Sequence, residues 1–169
     1  MLYREIEEKI KDFFQTEKKS ALMITGARQV GKTYCIREFA KENFPYVIEI
    51  NFLEMPSAVT LFENASDSRD IFASYIGVNR CSNGKRKTLI FFDEVQECKK
   101  LLLRLNFLWK KGAFRYILSG SLLGVELKDI RSIPVGYMSI YEMFPMNFFE
   151  FLQSKSRFTE SNGQSAEMF

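Results

Sequence analysis

The chain has 169 residues, 46% of them hydrophobic and 15% aromatic, which is enough apolar side chain for one folded domain and too much for a disordered segment. Lysine plus arginine number 24 against 21 aspartate plus glutamate, and the resulting charge of +3 neither demands nor excludes a polyanionic partner. Histidine is absent, which removes histidine triads, histidine general bases and the usual zinc ligand sets. The three cysteines, Cys35, Cys81 and Cys98, are too few and too far apart for a disulfide framework, so they read as reduced thiols of a cytoplasmic protein.

Tyr3, Ile6, Ile10, Phe13 and Phe14 recur at helical spacing and predict an amphipathic helix over the first fifteen residues. This start lacks a signal-peptide core, and the longest apolar stretch, "LLLRLNFLW", is short and broken by Arg104, so no membrane span is expected. "ALMIT", Ala21 to Thr25, is a short apolar run that stops at glycine, as a buried parallel strand would, and a helix is expected from Lys32 to about Asn43 with Ile36, Phe39 and Ala40 inward. "YVIEINF" is the next strand, "SRDIFASYI" a helix, "RCSNGKRK" a solvated turn, and "TLIFFDE" a buried strand ending in two carboxylates.

Leu101, Leu102, Leu105, Leu108 and Trp109 form another helical stripe, closed by Lys110, Lys111 and Gly112. "FRYILSGS" and "YMSIYEM" are the fourth and fifth strands, and "PMNFFEFL" is a short helix. Residues 154–169 are polar and aperiodic and read as a tail, disordered or a truncated linker, after a domain covering residues 1–153. Helices that alternate with strands imply a parallel sheet covered on both faces, with its chemistry at the carboxyl ends of the strands.

"TGARQVGKTYC" carries the first chemical signal. Gly26, Gly31, Lys32 and Thr33 complete a phosphate-loop pattern between a strand and a helix, and Ala27, Arg28, Gln29, Val30 and Tyr34 complete the candidate nucleotide-binding segment. The glycines let successive backbone N–H groups face a phosphate, Lys32 can reach the outer phosphates and Thr33 can offer its hydroxyl to magnesium. The bland alternative is a glycine turn with a surface lysine.

Asp93 stands where a strand delivers a carboxylate to a magnesium shell, and Glu94, one residue on, can polarise an attacking water. The alternative is two solvated acids at a strand end. A water-activating glutamate is needed by an ATPase and not by a small-molecule kinase, so the pair favours hydrolysis. Ser119 and Ser121, at the tip of the fourth strand, are candidates to sense the outer phosphate or place the water, against a plain polar strand end turning through Gly120.

In this order the motifs resemble a family of AAA-type P-loop ATPases widespread in bacteria and archaea. "GARQVGKTY", "FFDEVQEC", "GSLLGVEL" and "IPVGY…YEMFPMNFFEFL" look like that family's signatures over about residues 1 to 153. The resemblance implies a three-layer α/β/α P-loop NTPase with sheet order 5-1-4-3-2, ATP and Mg2+ as cofactors, Gly26 to Thr33 on the phosphates, and Asp93 and Glu94 serving magnesium and water. Arg28 and Gln29 belong to the loop signature and Gln96 follows the acids, without an implied role; Arg28 is a surface charge or a nucleotide contact.

Two features depart from the family pattern. Tyr137 stands where relatives carry lysine or arginine, and the chain stops at Phe169 where relatives continue into a C-terminal region, so a fragment or a naturally short member is expected. An arginine finger is worth roughly 10³ to 10⁵ in rate where one is used, and a neighbouring subunit of a homo-oligomer or another domain often supplies it. Arg115 and Arg131 are available by sequence, although each reads more simply as a solvated charge, and slow hydrolysis in isolation follows.

Three readings of function remain open at this point. One is an ATPase that moves a partner or a C-terminal region, and another is a non-hydrolysing nucleotide-dependent module. The third adds a nucleic-acid activity through "RCSNGKRK" and "WKKGAFR", which would be steeply salt-dependent, although lysine-rich loops are usually just solvated. Phe144, Phe148, Phe149 and Phe151 are expected to pack as core or against the C-terminal region.

Overall fold

The alternation of side chains along each strand sorts the apolar residues onto two faces of one sheet. A computed structural model of the protein describes residues 3–16, 21–64, 88–98, 100–101, 114–121 and 138–161. Helix α1 (Glu5–Thr16) is followed by β1 (Ala21–Thr25), α2 (Lys32–Asn43), β2 (Tyr46–Asn51), α3 (Pro56–Asn64), β3 (Thr88–Asp93), β4 (Arg115–Gly120), β5 (Met138–Glu142) and α4 (Phe148–Ser161). The helix expected at "SRDIFASYI", the "RCSNGKRK" turn, the leucine stripe from Leu102 onward, Arg131 and Tyr137 lie outside the described residues.

All four strand pairings are parallel and the order is β2-β3-β4-β1-β5, which is the expected 5-1-4-3-2 read from the other edge. Leu22, Ile24, Leu89, Phe91 and Ile117 face one side. There α1 buries Ile6, Ile10 and Phe13, and α2 buries Cys35, Ile36, Phe39 and Ala40. Ala21, Met23, Ile50, Ile90, Phe92, Tyr116 and Leu118 face the other, where α3 contributes Ala58 and Phe62.

Phe52 stacks on Phe92 at 5.9 Å between ring centroids, and Phe62 meets both rings edge-on. Each fully buried phenylalanine contributes about 1.5–3 kcal/mol of transfer free energy, so the second helical layer is held largely by these rings. The molecule is therefore a three-layer α/β/α domain.

Three expectations need correction. Helix α4 does not stop at Leu152 but continues to Ser161, through residues assigned above to the tail. Its start is fixed by a capping box: Asn147 Oδ1 accepts from the Glu150 N–H at 2.9 Å and Glu150 Oε2 accepts from the Asn147 N–H at 2.9 Å. Ser154 is buried and its Oγ accepts from the Tyr3 N–H at 3.0 Å, which holds the second turn on the amino end of the chain.

Of the two places expected for the aromatic cluster, core or against a C-terminal region, the described structure excludes the first. Phe144, Phe148 and Phe149 are 64%, 68% and 73% exposed, because the capping contacts turn the polar residues of α4 inward. Arg115 is also not a solvated charge. Its guanidinium lies 4.7 Å from the Phe14 ring centroid and 5.6 Å from that of Phe13, beneath α1. Cys35 and Cys98 are buried and not joined in a disulfide, and burial pushes the Cys35 thiol up to about 11. No helix among the described residues is long and apolar enough to cross a membrane.

Glu150 joins the two ends of the described chain. Burial alone would push its carboxyl up, but the Asn147 and Glu5 N–H groups and the Arg4 guanidinium outweigh that and hold it below the ordinary 4.5. A depressed carboxyl contributes stability that is present above the unfolded value and lost as pH falls through the folded one. Glu150→Gln should therefore cost roughly 2–4 kcal/mol near neutrality, and its deficit relative to the native chain should shrink as denaturant melts are taken below pH 4.5. An equal deficit at all pH values would contradict the account.

Candidate functional site

The phosphate-loop segment leaves β1 through backbone that only glycine takes without strain. Gly26 has φ 143°, and a Cβ there would sit 2.1 Å from the Met143 carbonyl oxygen. That approach is fixed because the Met143 N–H donates to Thr25 O at 2.8 Å, extending the β1–β5 pairing one residue past the end of β5. Gln29 at φ 63° and Gly31 at φ 95° complete the curl, and α2 begins at Lys32 without a side-chain cap on its first N–H groups.

Lys32 is buried and its ammonium folds back over the loop, donating to Gly26 O at 3.0 Å and Ala27 O at 2.7 Å. Burial lowers its pKa below the ordinary lysine value, and the charges of Glu94 and Asp93 oppose that shift without cancelling it. Arg28 and Tyr34 are exposed, as are Ala27 and Gln29.

Strand parity brings the next group together. Asn51, Asp93 and Ser119 each follow a residue of the α3-side face, so all three turn toward α2 at the carboxyl ends of adjacent strands. Asp93 pairs with Asn51 in the β2–β3 register, and Ser119 stands one step beyond the Phe92–Leu118 pair. Asp93 Oδ2 accepts from Thr33 Oγ1 at 3.0 Å and from Asn51 Nδ2 at 3.3 Å. Oδ1 accepts from the Glu94 N–H at 3.1 Å and from the Ser119 hydroxyl. The buried carboxylate is thus satisfied by α2, β2, β4 and its own chain.

Glu94 leaves β3 in a left-handed conformation, φ 54° and ψ 48°, ahead of a single 3-10 turn, Val95–Glu97. Its Oε2 accepts from Gln96 Nε2 at 2.5 Å, while Gln96 Oε1 accepts from the Ser121 N–H at 3.2 Å. The structure thus gathers Lys32, Thr33, Asp93, Glu94, Ser119 and Ser121 at one end of the sheet. Arg115 starts β4 at the opposite end and cannot reach this group within its own chain.

Three residues here escaped the sequence reading or had no role in it. Gln96 joins Glu94 to the tip of β4, and Asn51 steadies Asp93. Arg4 spreads its guanidinium over three acceptors, Val30 O at 2.7 Å, Phe144 O at 2.6 Å and Glu150 Oε1 at 3.2 Å, so α1, the loop, the β5 exit and α4 meet at one side chain.

A family model described as an AAA domain matches residues 18–152. The chain belongs to the AAA domain family of P-loop ATPases. Among solved structures, this AAA domain is similar to the Walker-type ATPase PABY2304 of Pyrococcus abyssi at 16% identity and a TM-score of 0.62, covering 98% of this chain and 60% of that one. It is also similar to PCH-2 of C. elegans at 13% identity and a TM-score of 0.51, covering 97% of this chain and 46% of that one. The chain thus spans less than two thirds of either protein, and the likeness is one of fold. No curated protein matches its sequence.

The donor set of the AAA domain suits a hard cation shared with a ligand. Thr33 and Asp93 offer oxygen only, and among the described residues no group of three or more histidine, cysteine or acidic side chains forms a cage of its own. Magnesium is commonly held in this way, by one or two carboxylates together with substrate phosphates.

The two loop glycines should respond unequally to substitution. Gly26→Ala forces the Met143 carbonyl away and should lower stability by about 2–4 kcal/mol, visible as a Tm drop of roughly 4–16 °C. The nearest atoms to a Cβ at Gly31 are Arg4 Nη1 at 3.5 Å and Met143 Cε at 3.8 Å, so Gly31→Ala should cost only its backbone strain, about half as much. Equal melting temperatures would show that the β5 exit does not press on the loop.

Proposed function

We propose that this AAA domain binds ATP with magnesium, hydrolyses it to ADP and phosphate, and uses the turnover to move a partner or chain beyond the domain. The observation that carries the reading is the convergence of Thr33, Asn51 and Ser119 on the buried Asp93 carboxylate, beside the loop and one residue before Glu94. A structural acid at a strand end would not need the first turn of α2 and two neighbouring strands aimed at it.

In this reading the loop N–H groups from Gly26 to Thr33 and the Tyr34 end of the segment hold the phosphates. The Lys32 ammonium exchanges the Gly26 and Ala27 carbonyls for phosphate oxygens. Thr33 and Asp93 would hold magnesium, which supplies charge neutralisation on the outer phosphates when bound. Glu94 takes a proton from the attacking water as the new P–O bond forms, and the bond to the ADP oxygen breaks. Ser119 and Ser121 hold the outer phosphate or that water.

A second reading is a domain that holds nucleotide without hydrolysing it. It is favoured by the place of Arg115, which is committed to the α1 aromatics and so does not serve the site of its own chain as an arginine finger. Either reading is compatible with a homo-oligomer whose neighbour completes the site.

ATP binding and phosphate release by the native chain, Lys32→Ala and Glu94→Gln separate these readings. Lys32→Ala should weaken ATP binding about 10- to 100-fold, from the loss of charge-assisted hydrogen bonds. Glu94→Gln should keep the affinity and lower phosphate release roughly 10²- to 10⁴-fold. Equal binding by all three would remove the phosphate-loop assignment. Native binding with no release above the Glu94→Gln background would leave the nucleotide-holding module.

The lowered Lys32 pKa adds a pH signature. The charged ammonium binds phosphate, so affinity should fall as pH rises through that lowered value. ATP restores the charge there, so binding takes up a proton, seen as a calorimetric heat that varies with buffer ionisation enthalpy. Lys32→Arg should bind without that alkaline limb, and a native affinity as flat as that of Lys32→Arg across the alkaline range would refute the assignment.

A further inference from the structure

We propose that Gln96 is a positioning residue that fixes the Glu94 carboxylate to the tip of β4, so that the strand tip beside the outer phosphate governs where the acid stands. The proposal rests on the hydrolytic reading above for its catalytic consequence, although the tie itself does not. Three observations carry it.

The amide has a determined orientation. Only its oxygen can meet the Ser121 N–H at 3.2 Å, so its NH2 must be the end that meets Glu94 Oε2 at 2.5 Å. Gln96 is therefore held at one end by a strand tip and holds the carboxylate with the other. Ser121 directly follows the last residue of β4 and is buried, so this anchor sits at the strand's end rather than on a solvated loop.

The carboxylate has few other constraints. Glu94 leaves the strand at φ 54°, a conformation uncommon outside glycine and asparagine, and its side chain is only half-buried. Among the described residues its Oε1 takes no hydrogen bond, and this oxygen is left to accept a proton from water. The turn that carries Gln96 is itself fixed, because Val95 is buried and the Glu97 N–H donates to Glu94 O at 3.0 Å.

The same strand tip indexes both acids. Ser119 touches Asp93 directly, and Ser121, two residues on, reaches Glu94 through the Gln96 amide. A displacement of the tip when a phosphate seats against it shifts the acceptor position of Glu94 along with it. Misplacing a reacting group by about 1 Å costs on the order of 10²-fold in rate, so such a tie governs turnover without touching substrate.

Gln96→Met preserves side-chain volume and removes both arms. It should lower kcat about 10- to 100-fold while the ATP dissociation constant stays within about 3-fold. Gln96→Asn, one methylene too short to span the two partners, should behave alike. In the Glu94→Gln background the Gln96→Met change should cause no further loss, because its effect runs through that carboxylate.

A readout free of turnover accompanies these rates. The Gln96 side-chain NH2 resonances, identified by their disappearance in Gln96→Met, should move in Glu94→Gln and again when magnesium with a non-hydrolysable ATP analogue is added. Resonances unmoved by Glu94→Gln, a native kcat for Gln96→Met, or a loss that appears wholly in ATP affinity would each overturn the proposal. If the native chain binds ATP and releases no phosphate, the hydrolytic reading has failed, and the amide resonances still decide the tie.

Discussion

The buried carboxylate of Asp93 is the constraint from which the site is organised. Moving an ionised carboxylate away from water costs several kcal/mol unless donors replace the lost hydration. Here those donors come from the first turn of α2, the end of β2, the end of β4 and the following peptide. The sheet order makes this arrangement available, since β3 lies between β2 and β4 and all strands point the same way. Any order that moved β4 from beside β3 would take Ser119 away and leave the acid under-satisfied.

The loop depends on a second set of contacts, made at the other neighbour of β1. Strand β5 continues past Glu142 so that Met143 seals against Gly26, and Arg4 then binds the carbonyls of Val30 and Phe144. The loop therefore has its curvature set from outside as well as by its own glycines. Its lysine donates to the Gly26 and Ala27 carbonyls of the curl. An ammonium bonds anionic acceptors more strongly than neutral carbonyls such as these.

What could be read in the chain was local. "ALMIT", the helix from Lys32 to Asn43 and "TLIFFD" have the period, length and punctuation of their elements, and the parallel order followed from a family resemblance rather than from periodicity. Asn51 was within reach of the same logic. Ile50 points to one face and so Asn51 points to the other, but its partner depends on the register between β2 and β3, which a single sequence does not display. Arg4 was invisible for a stronger reason. A charged residue on an amphipathic helix is solvated by default, and its partner Glu150 is 146 positions away. The residues after Leu152 carry no apolar stripe to read as a helix, and the contacts that fix the start of α4, a capping box and the buried Ser154, are polar.

Arg4 also makes the domain mechanically uneven. A load applied along α4 reaches Glu150 in its first turn, passes to the guanidinium and arrives at the Val30 carbonyl, all through short, charge-assisted contacts. The sheet joins the same contacts through the segment after β5, where the Met143 N–H donates to Thr25 O and Phe144 O accepts from Arg4. The first turn of α4 and the phosphate-loop segment therefore share one guanidinium, so that a change in the position of either alters the hydrogen bonding of the other.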